Sequence, residues 1–354
     1  MKEVFLETHN IKNPFTGFGQ YNFYLLKGLY HCADPSIRFT VHTQKKEFLK
    51  QEFGNFFNYK FYMGLRRYPA LRLRKKYDVW HSVNQNTKVE PHHNIPYVLT
   101  IHDVNFIEEI SSDLNHPRNR RFIEKLNRAN AITYISEYAK QSTHASFDVP
   151  KVPEYVIYNG NPSEAALDLS KYTPVNKPEG NYLFTIGDFW ERKNFHLLVE
   201  MMPYLSDFKL IIAGNNDRPY AEKVRERITA LKVEHRVTLA GRISDEEKQY
   251  HLKNATAFVF PSLREGFGLP PIEAMRFGTP VFLANATSLP EIGGDAAFYW
   301  KNFNPEDMAS EVQKGLITFQ KNKEIHTQKL EQQAALFNWN TAAKQYLEVY
   351  KSLL

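Results

Sequence analysis

The sequence predicts an α/β protein of two doubly wound domains, and three observations carry that expectation. Short apolar runs rich in β-branched and aromatic residues recur along the chain, many of them ending in Gly, Asp, Ser or Pro. Helical patterns lie between them, and such alternation belongs to parallel sheets covered on both faces. At 354 residues the chain exceeds what one core usually organises, so two domains are expected.

In the first half the strand candidates are 3–8 (EVFLET), 37–43 (IRFTVHT), 78–82 (DVWHS), 97–103 (YVLTIHD) and 131–136 (AITYIS). Helical patterns occupy 19–32 and 117–129. In the second half, 182–187, 208–214, 236–241, 256–261 and 280–284 read as strands, with helices around 220–232 and 244–255. The stretch 161–181 breaks the rhythm. It is polar, holds Pro162, Pro174, Pro178 and Gly180, and has no sustained period, which marks it as the linker. The last stretch, 339–354, is an amphipathic helix with Asn340 as its expected cap.

Composition narrows the class. With 42% hydrophobic residues, 26 Phe and 20 Tyr, core material is plentiful. The single cysteine, Cys32, excludes an internal disulfide framework and fits a reduced cytosol. The start MKEVFLETHN lacks an apolar signal-peptide core, and no run approaches the roughly 18 apolar residues that span a bilayer. The expectation is a cytoplasmic protein, soluble or held at the inner face of a membrane from outside.

A formal charge of +6 suggests an anionic partner: phosphorylated small molecules, anionic lipid or nucleic acid. No nucleic-acid motif accompanies the charge, so no nucleic-acid partner is expected. The cations cluster at 60–76, KFYMGLRRYPALRLRKK, which has seven Lys or Arg and no acid. This stretch reads either as a solvated face beside a strand or as a patch for an anionic membrane surface or a phosphorylated acceptor.

The densest chemistry lies in 264–284, REGFGLPPIEAMRFGTPVFLA, after the strand 256–261. Gly266 and Gly268 delay helix formation and let backbone approach a ligand, while Pro270 and Pro271 suit a helix start. Glu265 is then expected in the loop and Glu273 in the first helical turn. A helix N-terminus favours an anion, and carboxylates accept hydrogen bonds from hydroxyls. The combination suits a ligand that is both phosphorylated and polyhydroxylated. The plainer alternative is a Gly/Pro connector with Glu273 set against the helix dipole.

A second constellation is 186–200, IGDFWERKNFHLLVE, where Arg192 and Lys193 are expected to open a helix. Adjacent cations there oppose the dipole, so an anion between them relieves an unfavourable arrangement. In the first half, Gly17 and Gly19 begin the first helix, and His102 with Asp103 ends a strand. Each also has an ordinary structural reading, and Ser136 and Asn159 are taken as scaffold. The 13 histidines are scattered and no Asp-x-Asp occurs, so no metal site is expected.

The run 240–299 resembles, almost continuously, the family 4 glycosyltransferases, retaining enzymes of the GT-B fold whose Glu-x7-Glu signature Glu265 and Glu273 match. The resemblance implies two Rossmann-like domains facing across a cleft: 1–165 on the acceptor side and 178–335 on the donor side. A C-terminal helix, 336–354, would cross back to the N-terminal domain. Glu265 would contact the donor sugar and Glu273 the ribose. The backbone at Gly266, Phe267, Gly268 and Leu269 would meet sugar and diphosphate. Arg192 and Lys193 match the family's Arg-Lys-Asn diphosphate clamp, with Gly187 before them. Many members carry Arg after that glycine, whereas this chain has Asp188. Gly17 and Gly19 resemble the family's glycine loop, His102 would reach the donor sugar, and Arg242 joins the donor side.

The implied activity is metal-independent, retaining transfer of a hexose from a nucleotide-sugar, with Arg192, Lys193, Glu265 and His102 as the catalytic set. GDP-mannose or a UDP-hexose is the expected donor, and a glycan or lipid-linked saccharide the acceptor. No cofactor beyond the donor is expected. The same fold also serves sucrose- and trehalose-type synthases, phosphorylases and non-catalytic binding scaffolds.

Overall fold

The computed structural model describes residues 1–14, 16–163 and 166–354. They form two compact units: Met1–Gly160 with Asn338–Leu354, and Asn161–Phe337.

The first unit is built on seven parallel strands: β1 (Lys2–Leu6), β2 (Ile37–Thr43), β3 (Asn58–Phe61), β4 (Val79–Ser82), β5 (Tyr97–Ile101), β6 (Ala131–Tyr134) and β7 (Glu154–Val156). Their order, β3-β2-β1-β4-β5-β6-β7, reverses direction of travel between β1 and β4, where Val4 stands beside Val79. β4, β5 and β6 are buried along their whole length, which is why they appear in the sequence as unbroken apolar runs. β3 and β7 escaped the sequence reading. β3 is a largely exposed edge strand, NYKF, and β7 has only three residues, so neither carries an apolar run.

The C-terminal helix, Trp339–Lys351, belongs to this unit and lies against the helix Gly17–His31. Its tyrosines enter a buried polar network. Tyr346 shares a hydrogen bond with Tyr21 (2.7 Å) and Tyr350 one with His81 Nδ1 (2.8 Å), while His81 Nε2 meets Thr100 (2.7 Å). Burial pushes the His81 imidazole down to about 3, so it stays neutral at physiological pH. Close packing fixes the helix start: a Cβ on Gly160 would lie 2.2 Å from the Trp339 nitrogen. The cap is Asn338, not Asn340. Asn338 is the last extended residue, and its side chain accepts from the amides of Asn340 and Thr341.

A buried carboxylate closes the carboxyl end of β1. Glu7 accepts from His9 Nδ1 (2.6 Å) and His42 Nδ1 (2.9 Å), and Arg66 reaches His42 Nε2 (3.2 Å). Tyr62 stacks on His9 with ring centroids 4.6 Å apart.

The second unit has six parallel strands: β8 (Asn181–Ile186), β9 (Phe208–Ala213), β10 (Val237–Gly241), β11 (Ala257–Phe260), β12 (Val281–Ala284) and β13 (Phe298–Trp300). The order is β10-β9-β8-β11-β12-β13, with the reversal between β8 and β11. β13, three residues long, was not expected from sequence. The proline-bearing stretch after Gly160 is a tethered strap on this unit. Asn161 Nδ2 donates to Ile272 O (3.5 Å) and the Leu167 amide to Gln249 Oε1 (2.8 Å). The amides of Val175 and Asn176 meet Glu247 at 3.0 and 2.9 Å, and the Tyr172 hydroxyl bonds the same carboxylate.

Burial alone would raise the Glu7 carboxyl, but the hydrogen bonds from His42 and His9 outweigh it and hold it at about 2. A depressed carboxyl stabilises the fold above its unfolded value of 4.5 and loses that contribution as pH falls toward 2. Acid unfolding should therefore weaken for Glu7→Gln, whose stability measured by urea titration should change less between pH 5 and pH 3 than the wild type's. Equal losses in both proteins would contradict the assignment.

Candidate active site

In open parallel sheets a ligand crevice forms at the carboxyl ends of the two strands where the order reverses. In the second unit those strands are β8 and β11, and the chain segments leaving them carry Arg192, Lys193 and Glu265. After β8 the chain passes Gly187 and makes a 3-10 turn at Glu191–Lys193. Asn194 follows in the left-handed conformation (φ 58°), and only then does the helix Phe195–Met201 begin. Arg192 and Lys193 thus precede the helix instead of opening it.

The anion that this cationic pair requires is supplied by Glu265. Lys193 Nζ lies 2.5 Å from Glu265 Oε1, and Arg192 Nη1 lies 3.3 Å from the same oxygen. Ser262, two residues past the end of β11, donates to it as well, at 2.5 Å. Arg192 also donates to Arg264 O (2.7 Å), while its own carbonyl accepts from the Leu263 amide (2.8 Å). The Lys193 stem passes Gly187, where a Cβ would stand 3.3 Å from Cε, and its ammonium sits 4.6 Å from the Phe260 ring centre. Lys193 is buried, and the Glu265 side chain is only 13% exposed. Burial alone would raise the Glu265 carboxyl, but Lys193 and Arg192 hold it below its ordinary value, so the acid is ionised.

The Glu265 backbone is fixed from β12. Its amide donates to Thr287 Oγ1 (3.1 Å), and Ser288 Oγ reaches the carbonyls of Glu265 (3.1 Å) and Phe267 (2.5 Å). The Phe267 side chain is buried edge-on against Phe337, so only its backbone can meet a ligand. Gly268 has φ 125°, a conformation closed to side-chain-bearing residues, and the helix Leu269–Arg276 starts directly after it. Pro270 and Pro271 have no N–H, which leaves Gly268 and Leu269 as the amides at this helix start.

Glu273 is the fifth residue of that helix and falls in its second turn, not the first. The sequence expectation misplaced it because the helix begins one residue before the prolines. It is buried and has its own partners: Lys248 Nζ at 2.7 Å and Ser163 Oγ at 2.6 Å. Burial alone would lower the Lys248 ammonium, but Glu273 and Asp245 outweigh it and hold it above its ordinary value. Each acid therefore has a separate cation. Ser163, Lys248, Ser262, Thr287 and Ser288 were all missed from sequence. The one available signal was position, since Ser262, Thr287 and Ser288 are small polar residues just past strand ends.

Asp188, where the family resemblance leads one to expect Arg, pairs with Arg218 from the segment after β9 (3.2 Å), and Arg218 lies 3.8 Å over the Trp190 ring. Arg242 stands exposed immediately after β10, two strands from β8. Gly17, Gly19 and His102 belong to the first unit. A Cβ on Gly19 would fall 1.9 Å from Asn13 O, whereas Gly17 faces open space, so only Gly19 is demanded by packing. His102 follows β5, donates Nε2–H to Val83 O (3.0 Å) and is edged by Phe18 and Tyr21. Burial lowers it to about 4, which leaves a neutral ring with a fixed tautomer.

Two family profiles match the chain in tandem. "Glycosyltransferase Family 4" matches residues 30–164 and "Glycosyl transferases group 1" matches 171–332. The chain belongs to glycosyltransferase family 4. It is 28% identical to the O-antigen chain mannosyltransferase B of Escherichia coli, with 100% of each chain covered. The O-antigen chain mannosyltransferase RfbU of Salmonella typhimurium is also 28% identical, over 64% of this chain and 63% of its own length. Among solved structures, Anabaena HepE in complex with UDP and glucose superposes with a TM-score of 0.72 at 17% identity, covering 99% of this chain and 100% of that one. The fold of this family 4 glycosyltransferase is GT-B.

Removing one partner of a buried ion pair strands the other, at a cost of about 3 kcal/mol, whereas replacing both with apolar groups costs far less. Lys193→Met and Glu265→Leu should each destabilise by about that amount in urea unfolding, and the double variant by less than either single change. Strictly additive losses would show that the two charges do not depend on each other.

Proposed function

We propose that the protein transfers mannose, with retention of anomeric configuration, from a nucleoside-diphosphate mannose to a glycan or lipid-linked saccharide at the cytoplasmic face of a membrane. One observation carries this reading: Lys193, Arg192 and Glu265 converge at the β8/β11 reversal, and the helix that opens with the Gly268 and Leu269 amides starts four residues after Glu265. The full-length likeness to an O-antigen chain mannosyltransferase supports the choice of sugar.

In this reading the donor diphosphate takes up the two cations, and Glu265 turns its freed acceptor capacity toward sugar hydroxyls. As the anomeric bond loosens, charge grows on the departing phosphate while the sugar ring becomes oxocarbenium-like. Lys193, Arg192 and the helix-start amides meet that charge without a divalent ion. The acceptor hydroxyl attacks from the face the phosphate leaves, and its proton passes to a phosphate oxygen, so no side-chain base is invoked. Glu273, held by Lys248, grips the ribose.

The donor base is decided by thermal shift with GDP, UDP, ADP and dTDP. A ligand at 100 times its Kd stabilises by about 2.7 kcal/mol, and GDP is the expected responder; a response to UDP alone would move the donor to a UDP-hexose. Arg192→Ala should lower kcat roughly 100-fold, the scale of one preorganised donor, and near-full turnover would remove Arg192 from the reaction. Glu273→Gln should chiefly weaken binding of the free nucleoside diphosphate. Unchanged affinity by calorimetry would overturn its ribose role.

A further inference from the structure

We propose that residues 60–76 dock this protein on an anionic lipid bilayer. This rests on the membrane placement proposed above and adds the surface that would make it; it fails or stands separately from the transfer chemistry, because vesicle binding needs no sugar nucleotide.

The segment leaves the edge strand β3, makes two short 3-10 turns at Gly64–Arg67 and Pro69–Leu71, and re-enters the sheet through β4. It is firmly anchored. Leu73 and Tyr77 are buried in the core, and Arg66 donates to Phe61 O (2.8 Å) and His42 Nε2 (3.2 Å). Arg74 O accepts from His93 Nε2 (2.8 Å). On this fixed base Phe61, Met63, Leu65, Tyr68 and Leu71 all point outward, each 44–57% exposed. Among the described residues there are 18 exposed large apolar side chains, and five of them fall within these 11 positions. Such a concentration marks an interaction surface.

The charge identifies the partner. Lys60, Arg67, Arg74, Lys75 and Lys76 are exposed among those apolar groups, with no acid anywhere in the stretch. Among the described residues, Lys75 alone of these five has an ion-pair partner, Glu3 at 2.6 Å. Arg67 lies over the Tyr68 ring at 4.9 Å, pairing a cation with an aromatic of the kind that settles at headgroup depth. Apolar side chains reaching past a ring of cations match an acyl boundary beneath anionic headgroups. Pairing of the β3 edge with a second copy is the competing use of this surface, and the edge lysine Lys60 works against it.

Flotation of the full chain with phosphatidylcholine vesicles, and with the same vesicles carrying about 30% phosphatidylglycerol, tests the proposal. Binding should favour the anionic vesicles at least tenfold and weaken as salt rises from about 0.1 to 0.5 M. The triple changes Phe61→Ser/Leu65→Ser/Leu71→Ser and Arg67→Gln/Arg74→Gln/Lys76→Gln should each cut binding about tenfold or more, with unaltered melting. No preference for anionic vesicles, or wild-type binding by both variants, would overturn it. So would a dimer seen by light scattering that the serine variant abolishes, in the absence of vesicle binding.

Discussion

A carboxylate and an ammonium group removed from water together set the geometry at the β8/β11 reversal of the second unit. Glu265 and Lys193 arrive from strands adjacent in the sheet but more than seventy residues apart in the chain. Neither charge is tolerable there without the other. The surrounding geometry follows from that need. Asn194 takes a left-handed turn so that Lys193 faces back toward β11, Gly268 frees the next helix to begin beyond Glu265, and Thr287 and Ser288 hold the intervening backbone from a third strand. A paired acid and base at a ligand crevice are also interchangeable with a ligand's own charges. A diphosphate can replace the carboxylate on the cations, and hydroxyls can replace the cations on the carboxylate.

What was legible in the sequence follows burial. Strands covered on both faces are written as apolar runs, so β1, β2, β4, β5, β6, β8, β9, β11 and β12 could be read directly, while the half-buried edge strand β10 was read from its β-branched start and terminal glycine. The exposed edge β3 and the three-residue strands β7 and β13 leave no such trace. Glu265, Arg192 and Lys193 could be named because their neighbours are glycine, proline and each other. Their mutual contact could not, since it depends on which strands are adjacent at the reversal. Lys248 and Ser163 were invisible for the same reason: a lone lysine in a helix and a lone serine in a proline-rich stretch acquire meaning only through Glu273. Asp188 shows the reverse case. The departure from the family pattern was plain, while its counterpart, Arg218, came from a loop thirty positions away.

The first unit spends its buried polar groups differently. Tyr21, His81, Thr100, Tyr346 and Tyr350 join the last helix to the sheet, and a neutral His81 lets both ring nitrogens take part without a buried charge. Buried networks of this kind are costly when incomplete, which ties the final helix to one register. His102 is likewise neutral and oriented, with its Nε2–H committed to Val83 O and Nδ1 left as the acceptor. Membership of family 4, the tandem profile matches and the GT-B architecture agree with a protein whose polar side chains are spent at strand ends.

The most direct test of the account is a crystal structure of the protein with GDP-mannose, or with UDP-glucose if UDP is the nucleotide that binds. The account predicts the β-phosphate within hydrogen-bonding distance of Lys193 Nζ, with Glu265 released from at least one cation and turned to a sugar hydroxyl. A donor bound elsewhere, with the Lys193–Glu265 contact still closed at 2.5 Å, would contradict it.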